Sequence, residues 1–576
     1  MRSRHGRIRP ALLITPALLS LLAITPDTPD ASDLSRLRPP GDTLPEAVAD
    51  TLEEWLPEQL RESGVPGAAV AVVGAEWIVW EAAYGNLDGP RSRPVDAETL
   101  FAVRSVSKSV TSLAVLMAVQ EGLVDLDVPV SKYLPGFTVK SRFDAHPERR
   151  MTLRHLLSHR AGFTHETRLT DSDDDDFQRY IESISDTWLR FPVGYRLAYA
   201  NLGTDLAAYI LQERSGVPYP RYVKEKVLDP IGMTRSSFDF DVVEREENRA
   251  IGHAPDGDAL PLRFPELAAA GLYSNARDMA RYVQFHLNGG VVDGERVLRE
   301  DLVDQYHSIA FARPGQRSGY GFGLVREATS YTFSLYHEGG GRGFQSLMIV
   351  YPELGYGVVL LINRDGNGLT GPQGREVTNA PITERYGPNI VAEPDTSRML
   401  AVRSDDPRVR SALGRYGGEG GWVIGYEDEV LGVRTSPDSF YPLAVYDDRG
   451  ELVGMFGAFT EIHFLPPAGP QPRTLMIVNR RYSNDHINYQ ALNDSPADPP
   501  GPGKPEWREH VGEYEVLWRG EPDRTVSVTL RNGYLYYDGR RCVEHEPGLF
   551  FSNDGEAIDF RSDPPTAANL KLRKKA

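Results

Sequence analysis

Ser105 and Lys108 are the two residues of this sequence whose types and spacing best fit covalent chemistry. They open a stretch, 105–121, whose apolar residues recur at helical spacing and which stops at Gly122. On a helix, residues three apart share one face, so the lysine amine can reach the serine oxygen. A serine hydroxyl is a poor nucleophile until a base takes its proton. The pair therefore predicts a nucleophilic serine with a lysine base, and the dipole of the first helical turn favours an oxyanion there.

The strand and helix patterns around this pair predict one α+β domain over residues 45–365. It would hold an antiparallel sheet flanked by helices, plus a helical subdomain, with β-rich domains following. Strand patterns lie at both ends of the range and helical patterns lie between them, which indicates a sheet closed by the two ends of the domain. The strands are predicted at 68–73, 77–80, 346–351 and 357–362, and further helices at 153–159, 201–215 and 277–287, the last capped by Asn275.

The rest of the chain divides at stretches rich in proline, glycine and polar residues. β-like runs dominate after the first domain, and Arg531-Asn-Gly-Tyr534 predicts a hairpin turn among them. The predicted parts are a signal peptide and spacer (1–35), a linker (366–410), a β-rich accessory segment (411–495), a Pro/Gly linker (496–505), a β-rich C-terminal segment (506–565) and a basic, solvated tail (566–576).

The N-terminus predicts export. Arg2, Arg4, Arg7 and Arg9 precede a short apolar stretch, 11–24, which is the arrangement of a signal peptide. The expected location is the periplasm or the extracellular medium. An uncleaved membrane anchor is the alternative, and only in that case would the protein associate with a membrane.

Charge and cysteine content exclude several classes. Lysine and arginine number 63 against 81 acidic residues, a net charge of -18, so nucleic acid is not an expected partner. The single cysteine, Cys542, excludes an intrachain disulfide and a cysteine-based metal cluster. His155 and His159 have the spacing of metal ligands, but no glutamate lies between them as in zinc proteases, and a structural helix is the preferred interpretation.

A series of four motifs resembles the class C β-lactamase-related serine hydrolases, a family that includes D-alanyl-D-alanine carboxypeptidases, D-aminopeptidases and esterases. The resemblance covers about residues 45–365 and rests on the order of the motifs more than on any one of them. In chain order they are Ser105-Val-Ser-Lys108, Leu153-Arg-His-Leu-Leu-Ser-His-Arg-Ala-Gly162, Tyr199-Ala-Asn201 and His337-Glu-Gly339.

The resemblance implies a β-lactamase/transpeptidase-like fold and a role for each motif. Tyr199 would share or relay the serine proton, and Asn201 would position the substrate amide. His337 and Gly339 would lie on a strand edge that binds substrate, and the backbone N–H groups of Ser105 and Gly340 would form the oxyanion hole.

The choice of Tyr199 depends on motif order. Tyr-x-Asn occurs four times. The copy at Tyr84 precedes Ser105 and is out of order, the copy at Tyr273 lies next to the helix cap Asn275, and the copy at Tyr482 lies beyond the linker.

The implied activity is acyl transfer through a Ser105 acyl-enzyme on an ester, a D-amino-acid peptide or a β-lactam, with a small molecule or short peptide as partner. No metal or organic cofactor is expected. Many relatives carry Lys-Thr-Gly where this chain has histidine, which favours ester or peptide hydrolysis over a dedicated β-lactamase. The alternative is a penicillin-binding-like sensor or cell-wall-binding protein with little or no turnover.

Two further expectations concern regulation and access. An unperturbed imidazole titrates around pH 6.5, so His337 is expected to make activity depend on pH near neutrality. The β-rich C-terminal part resembles accessory lipocalin-like domains and is expected to shape substrate access without performing chemistry.

Overall fold

The structure, a computed structural model, describes residues 46–89, 91–170, 172, 175–312, 316–328, 332–371, 400–417, 421–436, 439–448, 451–456, 460–479, 486–494, 501, 503–518 and 520–575. The predicted signal peptide and most of the predicted linker, 372–399, lie outside these residues. Among the described residues, no helix is both long enough and apolar enough to cross a membrane.

A seven-stranded antiparallel sheet forms the centre of the first domain, in the order β2-β1-β11-β10-β9-β8-β7. β1 and β11 pair along their length, so the two ends of the domain close the sheet as predicted. The strands of this domain are Gly67–Gly74 (β1), Ile78–Gly85 (β2), Phe101–Ala102 (β3), Tyr273–Ser274 (β4), Val291–Val292 (β5), Glu295–Arg296 (β6), Gly319–Tyr320 (β7), Val325–Ala328 (β8), Phe333–Gly341 (β9), Phe344–Tyr351 (β10) and Tyr356–Ile362 (β11).

Helices pack on this sheet and form a subdomain beside it, so the predicted α+β fold is confirmed. Helix α11 lies on β1 and β11, whereas α2 packs against α6 and α10. The helices are Glu46–Glu62 (α1), Ser107–Gln120 (α2), Val130–Tyr133 (α3), Leu153–Leu157 (α4), Phe177–Glu182 (α5), Asn201–Ser215 (α6), Tyr219–Val223 (α7), Asp229–Ile231 (α8), Phe240–Glu244 (α9), Leu267–Ala270 (α10), Ala276–Leu287 (α11) and Glu300–Tyr306 (α12).

Local signals fixed several helix ends. Asn275 accepts a hydrogen bond from the backbone N–H of Asp278 and caps α11, as predicted. Gly122 ends the α2 stretch with a positive φ of 71°, a conformation that glycine adopts without strain. The α-helix predicted from Ser105 begins at Ser107 instead, because residues Arg104–Val106 form a 3-10 turn directly before α2.

A ten-stranded sheet follows, in the order β12-β17-β18-β19-β20-β21-β13-β14-β15-β16. Its strands are Leu400–Ala401 (β12), Gly414–Tyr416 (β13), Val423–Glu427 (β14), Val430–Ser436 (β15), Ser439–Pro442 (β16), Ala444–Asp448 (β17), Glu451–Phe456 (β18), Thr460–Leu465 (β19), Thr474–Asn479 (β20) and His486–Asp494 (β21). The predicted linker extended too far, because β12 and the helix Pro407–Arg410 (α13) belong to this unit and Val409 is buried in its core.

The last unit is a closed eight-stranded barrel. Its strands are Gly512–Trp518 (β22), Glu521–Arg531 (β23), Tyr534–Tyr537 (β24), Arg540–Glu546 (β25), Leu549–Ser552 (β26), Ala557–Asp559 (β27), Thr566–Ala567 (β28) and Leu570–Lys574 (β29). The predicted turn is confirmed, since Asn532 and Gly533 both have positive φ between β23 and β24.

The prediction of a solvated tail at 566–576 was wrong for most of its length. β29 pairs with β22 and closes the barrel. Apolar and basic residues alternate along it, and Leu572 is fully buried inside while Lys571 faces solvent. The prediction rested on the number of basic residues alone. The alternation of apolar and basic residues, with a period of two, is the pattern of a half-buried strand.

Candidate active site

Ser105 and Lys108 meet at the first turn of the helical stretch. Lys108 Nζ donates hydrogen bonds to Ser105 Oγ at 3.1 Å and to the carbonyl oxygen of Ala269 at 3.1 Å. The lysine is fully buried, and both acceptors are neutral oxygens. Arg104, immediately before the serine, has a φ of 48°, a strained conformation for a residue with a Cβ. The surrounding structure therefore holds the serine at a sharp turn with the amine directed at its oxygen.

The carbonyl that holds Lys108 is itself fixed by α2 and α6. Thr111 Oγ1 donates to the carbonyl oxygen of Ala268 at 2.7 Å. Asp205 Oδ1, on α6, accepts the backbone N–H groups of Ala268 and Ala269 at 2.8 and 3.0 Å. Burial and the nearby Glu266 carboxylate raise the pKa of Asp205 to about 8. The position of the lysine amine thus depends on three helices that are distant in sequence.

Tyr199 lies against the lysine. Lys108 Nζ is 4.9 Å from the centre of the Tyr199 ring, and the rings of His159 and Tyr320 lie 4.3 and 6.3 Å from it. His159 Nδ1 accepts the backbone N–H of Ala200 at 3.2 Å, which fixes the chain next to the tyrosine. The order of motifs therefore selected the copy of Tyr-x-Asn that lies beside the Ser–Lys pair.

The other copies lie elsewhere. Tyr84 pairs with Ala68 in the central sheet, and Tyr273 is fully buried in β4 with its ring edge against Phe344. Tyr482 lies outside the described residues. Both described copies lie in strands, so Tyr199 remains the copy of the motif that is placed beside the Ser–Lys pair.

His337 lies on β9, with its ring centre 6.2 Å from that of Tyr199. The backbone carbonyl of Glu338 accepts from Nδ1 at 2.6 Å, and Nε2 accepts from the hydroxyl of Tyr320 at 2.8 Å. Burial, together with the charge of Lys108, lowers the pKa of His337 to about 3. The expectation that this histidine titrates near neutrality is therefore wrong, because a desolvated ring beside a cation stays neutral.

We expect no inflection from His337 in the pH profile of activity between about pH 5 and 9, because its charged form is suppressed. His337→Gln should therefore keep the inflection points of the wild type, as should His146→Gln at an exposed control position. The free energy of unfolding should fall as the pH drops below about 6.5, because His337 then binds a proton in the unfolded chain but not in the folded one. Thermal unfolding from pH 4 to 8 measures this, and the fall should be smaller in His337→Gln. A neutral-pH inflection lost only in that variant would contradict the assignment.

Gly339 brings the β9 edge onto the serine turn. A Cβ on Gly339 would lie 2.3 Å from the carbonyl oxygen of Val103, whereas one on Gly340 would meet nothing within 4 Å. Ser346 Oγ donates to that same Val103 carbonyl at 2.7 Å and ties β10 to the turn. Only glycine allows this approach at 339. The edge therefore lies beside Ser105 with open space at Gly340, where the predicted oxyanion donor would act.

Asn201 is the first residue of α6, and its Nδ2 donates to Glu266 Oε1 at 2.5 Å. This glutamate was not among the predicted site residues, and neither were Tyr320 and the neighbouring pair His165 and Glu166. Burial lowers the pKa of His165, but the hydrogen bond and charge of Glu166 outweigh it and raise that pKa overall. The histidines of the 153–165 run were a usable signal, whereas Glu266 and Tyr320 stand in no motif.

The barrel contacts the segment that carries His165. Thr164 Oγ1 donates to Glu556 Oε2 at 3.0 Å, and Arg190 Nε lies 2.8 Å from the other oxygen of that carboxylate. Asn569 Nδ2 donates to the carbonyl oxygen of Glu166 at 2.7 Å. The ring of His165 in turn stacks on Tyr199, with centres 5.8 Å apart. The C-terminal unit therefore touches the wall of the candidate site.

A chain truncated to residues 35–395 is expected to be labelled at Ser105 still, because all candidate reacting groups precede residue 342. Its preference should shift towards bulkier substrates, since the 164–166 segment loses its contacts with the barrel. Intact-mass labelling rates and a substrate panel measure this after circular dichroism establishes folding, and Asn569→Ala in the full chain tests the contact alone. A folded truncation without labelling would show that the barrel completes the site.

Comparison with known proteins agrees with this geometry. The beta-lactamase family model matches residues 52–380, and the chain belongs to that family. Beta-lactamase-like protein 2 of Dictyostelium discoideum is 30% identical over 342 residues, 54% of this chain and 61% of that protein. Protein flp of Staphylococcus aureus (strain N315) is 24% identical over 320 residues, 54% of this chain and 62% of that protein. The chain thus spans about three-fifths of the length of these relatives.

Solved structures share the fold. The octameric penicillin-binding protein homologue from Pyrococcus abyssi superposes with a TM-score of 0.50 at 22% identity, covering 75% of this chain and 99% of that one. SurE, determined with D-Leu, gives a TM-score of 0.50 at 21% identity, covering 78% of this chain and 100% of that one. The predicted β-lactamase/transpeptidase-like fold is confirmed.

Proposed function

We propose that the protein is an exported serine hydrolase that acts by acyl transfer through a Ser105 acyl-enzyme. The observation that carries the proposal is the 3.1 Å contact between Lys108 Nζ and Ser105 Oγ in a buried site. A sensor would need the serine only for capture. The intact set of lysine, tyrosine and asparagine beside that serine supports turnover instead.

The proposed reaction has two steps, acylation of Ser105 and hydrolysis of the acyl-enzyme, and the same base carries a proton in each step. Lys108 and Tyr199 together take the Ser105 proton as Oγ attacks the substrate carbonyl carbon. The N–H groups of Ser105 and Gly340 receive the oxyanion, and the proton passes to the leaving group as its bond to the carbonyl carbon breaks. Water then attacks the acyl carbon and gives its proton to the same base, which passes a proton to Ser105 Oγ as the bond between Oγ and the acyl carbon breaks and the acid product leaves. Neither step needs a metal or an organic cofactor.

The neutral charge state of His337 supports esters or peptides as substrates more than β-lactams. A lysine at this position would offer a cation to a substrate carboxylate, whereas neutral His337 offers none and has both ring nitrogens in hydrogen bonds. Arg342, the next cation along the chain, donates to the backbone carbonyl of Ser172 at 3.0 Å. We therefore rank esters and D-amino-acid peptides first.

The test is covalent labelling followed by turnover. Full-length protein is treated with a fluorophosphonate and with a fluorescent penicillin, and the adduct is located by mass spectrometry. A panel of esters, D-peptides and β-lactams then measures hydrolysis. We expect an adduct on Ser105 and turnover of an ester or a peptide. Labelling without turnover of any substrate would favour the penicillin-binding-like sensor.

A further inference from the structure

A cavity of about 340 Å³ lies where the first domain meets the ten-stranded sheet. Its lining residues come from the segments 141–150 and 189–193 of the first domain and from the turn 468–470 between β19 and β20. Of the described residues that line it, none is a candidate reacting residue. Pockets for small molecules are frequent where domains meet and begin at about 300 Å³, so this cavity has the position and the size of a second binding site.

Arg142 brings a positive charge to this cavity. Its Cζ atom lies 3.9 Å from the centre of the Phe551 ring on β26 and 5.1 Å from the centre of the Phe143 ring. Among the described residues, none forms an ion pair or a hydrogen bond with the guanidinium. Burial alone lowers the pKa of Arg142 to about 10, so the group is still charged at neutral pH. The aromatic contacts offset part of the cost of burying this charge, but they supply no hydrogen-bond acceptor and no counter-ion.

The stacked guanidinium keeps donors for a ligand. The N–H groups of arginine point outward in the plane of the group and not towards a ring that lies over its face. Nε of Arg142 is buried, whereas the side chain as a whole is only half-buried. The two terminal amino groups are therefore the part that a molecule in the cavity can reach. Two N–H groups in one plane match the two oxygens of a carboxylate.

The charged residues of the wall favour an anion with a single negative charge. Arg150 is exposed and adds a second positive charge, whereas Asp144 adds a negative one, so two positive charges face one negative charge. Asp144 Oδ1 accepts the backbone N–H of His146 at 3.0 Å, and among the described residues neither arginine forms an ion pair with this carboxylate. A ligand with several negative charges would be repelled by Asp144.

The rest of the wall is mostly apolar. Phe143, Leu189, Val193 and Pro470 are among the residues that form it. A cavity of about 150 Å³ is enough to hold one benzene molecule, and this cavity is about twice that size. It therefore has room for an apolar ring or a short alkyl chain together with a carboxylate.

Hydrogen bonds hold two sides of the cavity in place without a ligand. Ser141 Oγ accepts the backbone N–H groups of Phe143 and Asp144 at 3.0 and 3.3 Å, which fixes the turn that carries these residues. The hydroxyl of Tyr195 donates to the carbonyl oxygen of Pro466 at 2.8 Å and joins the segment after 193 to the end of β19. A preformed wall lowers the entropy cost of binding.

We infer that this cavity binds a small organic acid, whose carboxylate meets the terminal amino groups of Arg142 and whose apolar body lies against Phe143 and Leu189. The acid would contact both the first domain and the 468–470 turn, so that binding holds the two units together. Because none of the candidate reacting residues lines the cavity, binding there does not depend on the proposed chemistry at Ser105.

The experiment measures affinity by calorimetry on the full-length protein. The probes are phenylacetate and hexanoate, the neutral amides of both acids, and inorganic phosphate. We expect each acid to bind at least about tenfold more tightly than its amide, the usual advantage of a hydrogen bond between charged groups. Both acids should also bind more tightly than phosphate, which has no apolar body. Saturating phenylacetate should raise the midpoint of thermal unfolding, because the ligand binds only the folded chain.

Two variants locate the site. Arg142→Gln should lower the affinity for both acids to that of the amides and remove the thermal shift. Arg326 is the matched control, because its Cζ atom lies 4.0 Å from the centre of the Phe333 ring, but it donates to the carbonyl oxygen of Arg317 at 2.7 Å and does not line the cavity. Arg326→Gln should therefore keep the wild-type affinity.

Several results would overturn the inference. Absence of binding by both acids, or equal affinities for acids and amides, would do so on the wild-type protein alone, so the test does not depend on the folding of Arg142→Gln. Unchanged affinity for the acids in a folded Arg142→Gln protein would place them elsewhere. Phosphate binding as tightly as the acids would show a simple anion site in which the apolar wall takes no part.

Discussion

Replacing Ser105 by alanine is expected to abolish covalent labelling and to lower turnover at least about a thousandfold, because the bond-forming oxygen is removed and no neighbour replaces it. The fold should survive. The described contact of this hydroxyl is the one with Lys108, whose amine keeps the Ala269 carbonyl as an acceptor, so the loss in stability should be about 1 kcal/mol. Intact-mass labelling, turnover of the best ester and circular dichroism measure the three quantities.

Two neighbouring serines provide the controls. Ser107 Oγ accepts the backbone N–H of Leu272 at 3.1 Å, and Ser109 Oγ donates to the carbonyl of Val106 at 2.7 Å. Both side chains are buried in these contacts. Ser107→Ala and Ser109→Ala should therefore still be labelled, although with reduced stability. An adduct on either serine in place of Ser105 would remove the basis of the assignment.

Replacing Tyr199 by phenylalanine is expected to lower kcat about a hundredfold, the usual effect of losing a positioned acid/base group. Phenylalanine keeps the ring contacts with Lys108 and His159, so the loss reports on the hydroxyl rather than on packing. Steady-state kinetics on the best substrate give kcat, and the labelling rate of Ser105 should fall in parallel.

Tyr273→Phe is the matched comparison. Tyr273 is fully buried in β4 with its ring edge against Phe344, so its hydroxyl should contribute to stability and little to kcat. Thermal unfolding and kcat together separate the two effects. Equal losses of kcat from both substitutions, or a larger loss from Tyr273→Phe, would mean that the motif copy at Tyr199 does not serve the serine.

The sequence by itself determined the features that depend on neighbouring residues. The Ser105–Lys108 contact spans three positions of one helical stretch, the cap at Asn275 acts on α11 directly after it, and the turn at Asn532–Gly533 is set by its own backbone conformation. The motif order added Tyr199 and the β9 edge through family resemblance. These features depend on short-range preferences and on the order of motifs, and both can be recognised in the sequence without a structure.

Only the tertiary structure decided the electrostatics and the far contacts. Glu266 reaches Asn201 across 65 positions, and Glu556 reaches Thr164 across 392. The neutral state of His337 depends on burial and on Lys108 nearby, neither of which its own motif encodes. The pKa of a group is set by whatever surrounds it in space, because solvation and Coulomb energy depend on distance and exposure and not on sequence separation. For that reason the motifs could predict the Ser105–Lys108 pair, whereas the neutral state of His337 became visible only in the folded chain.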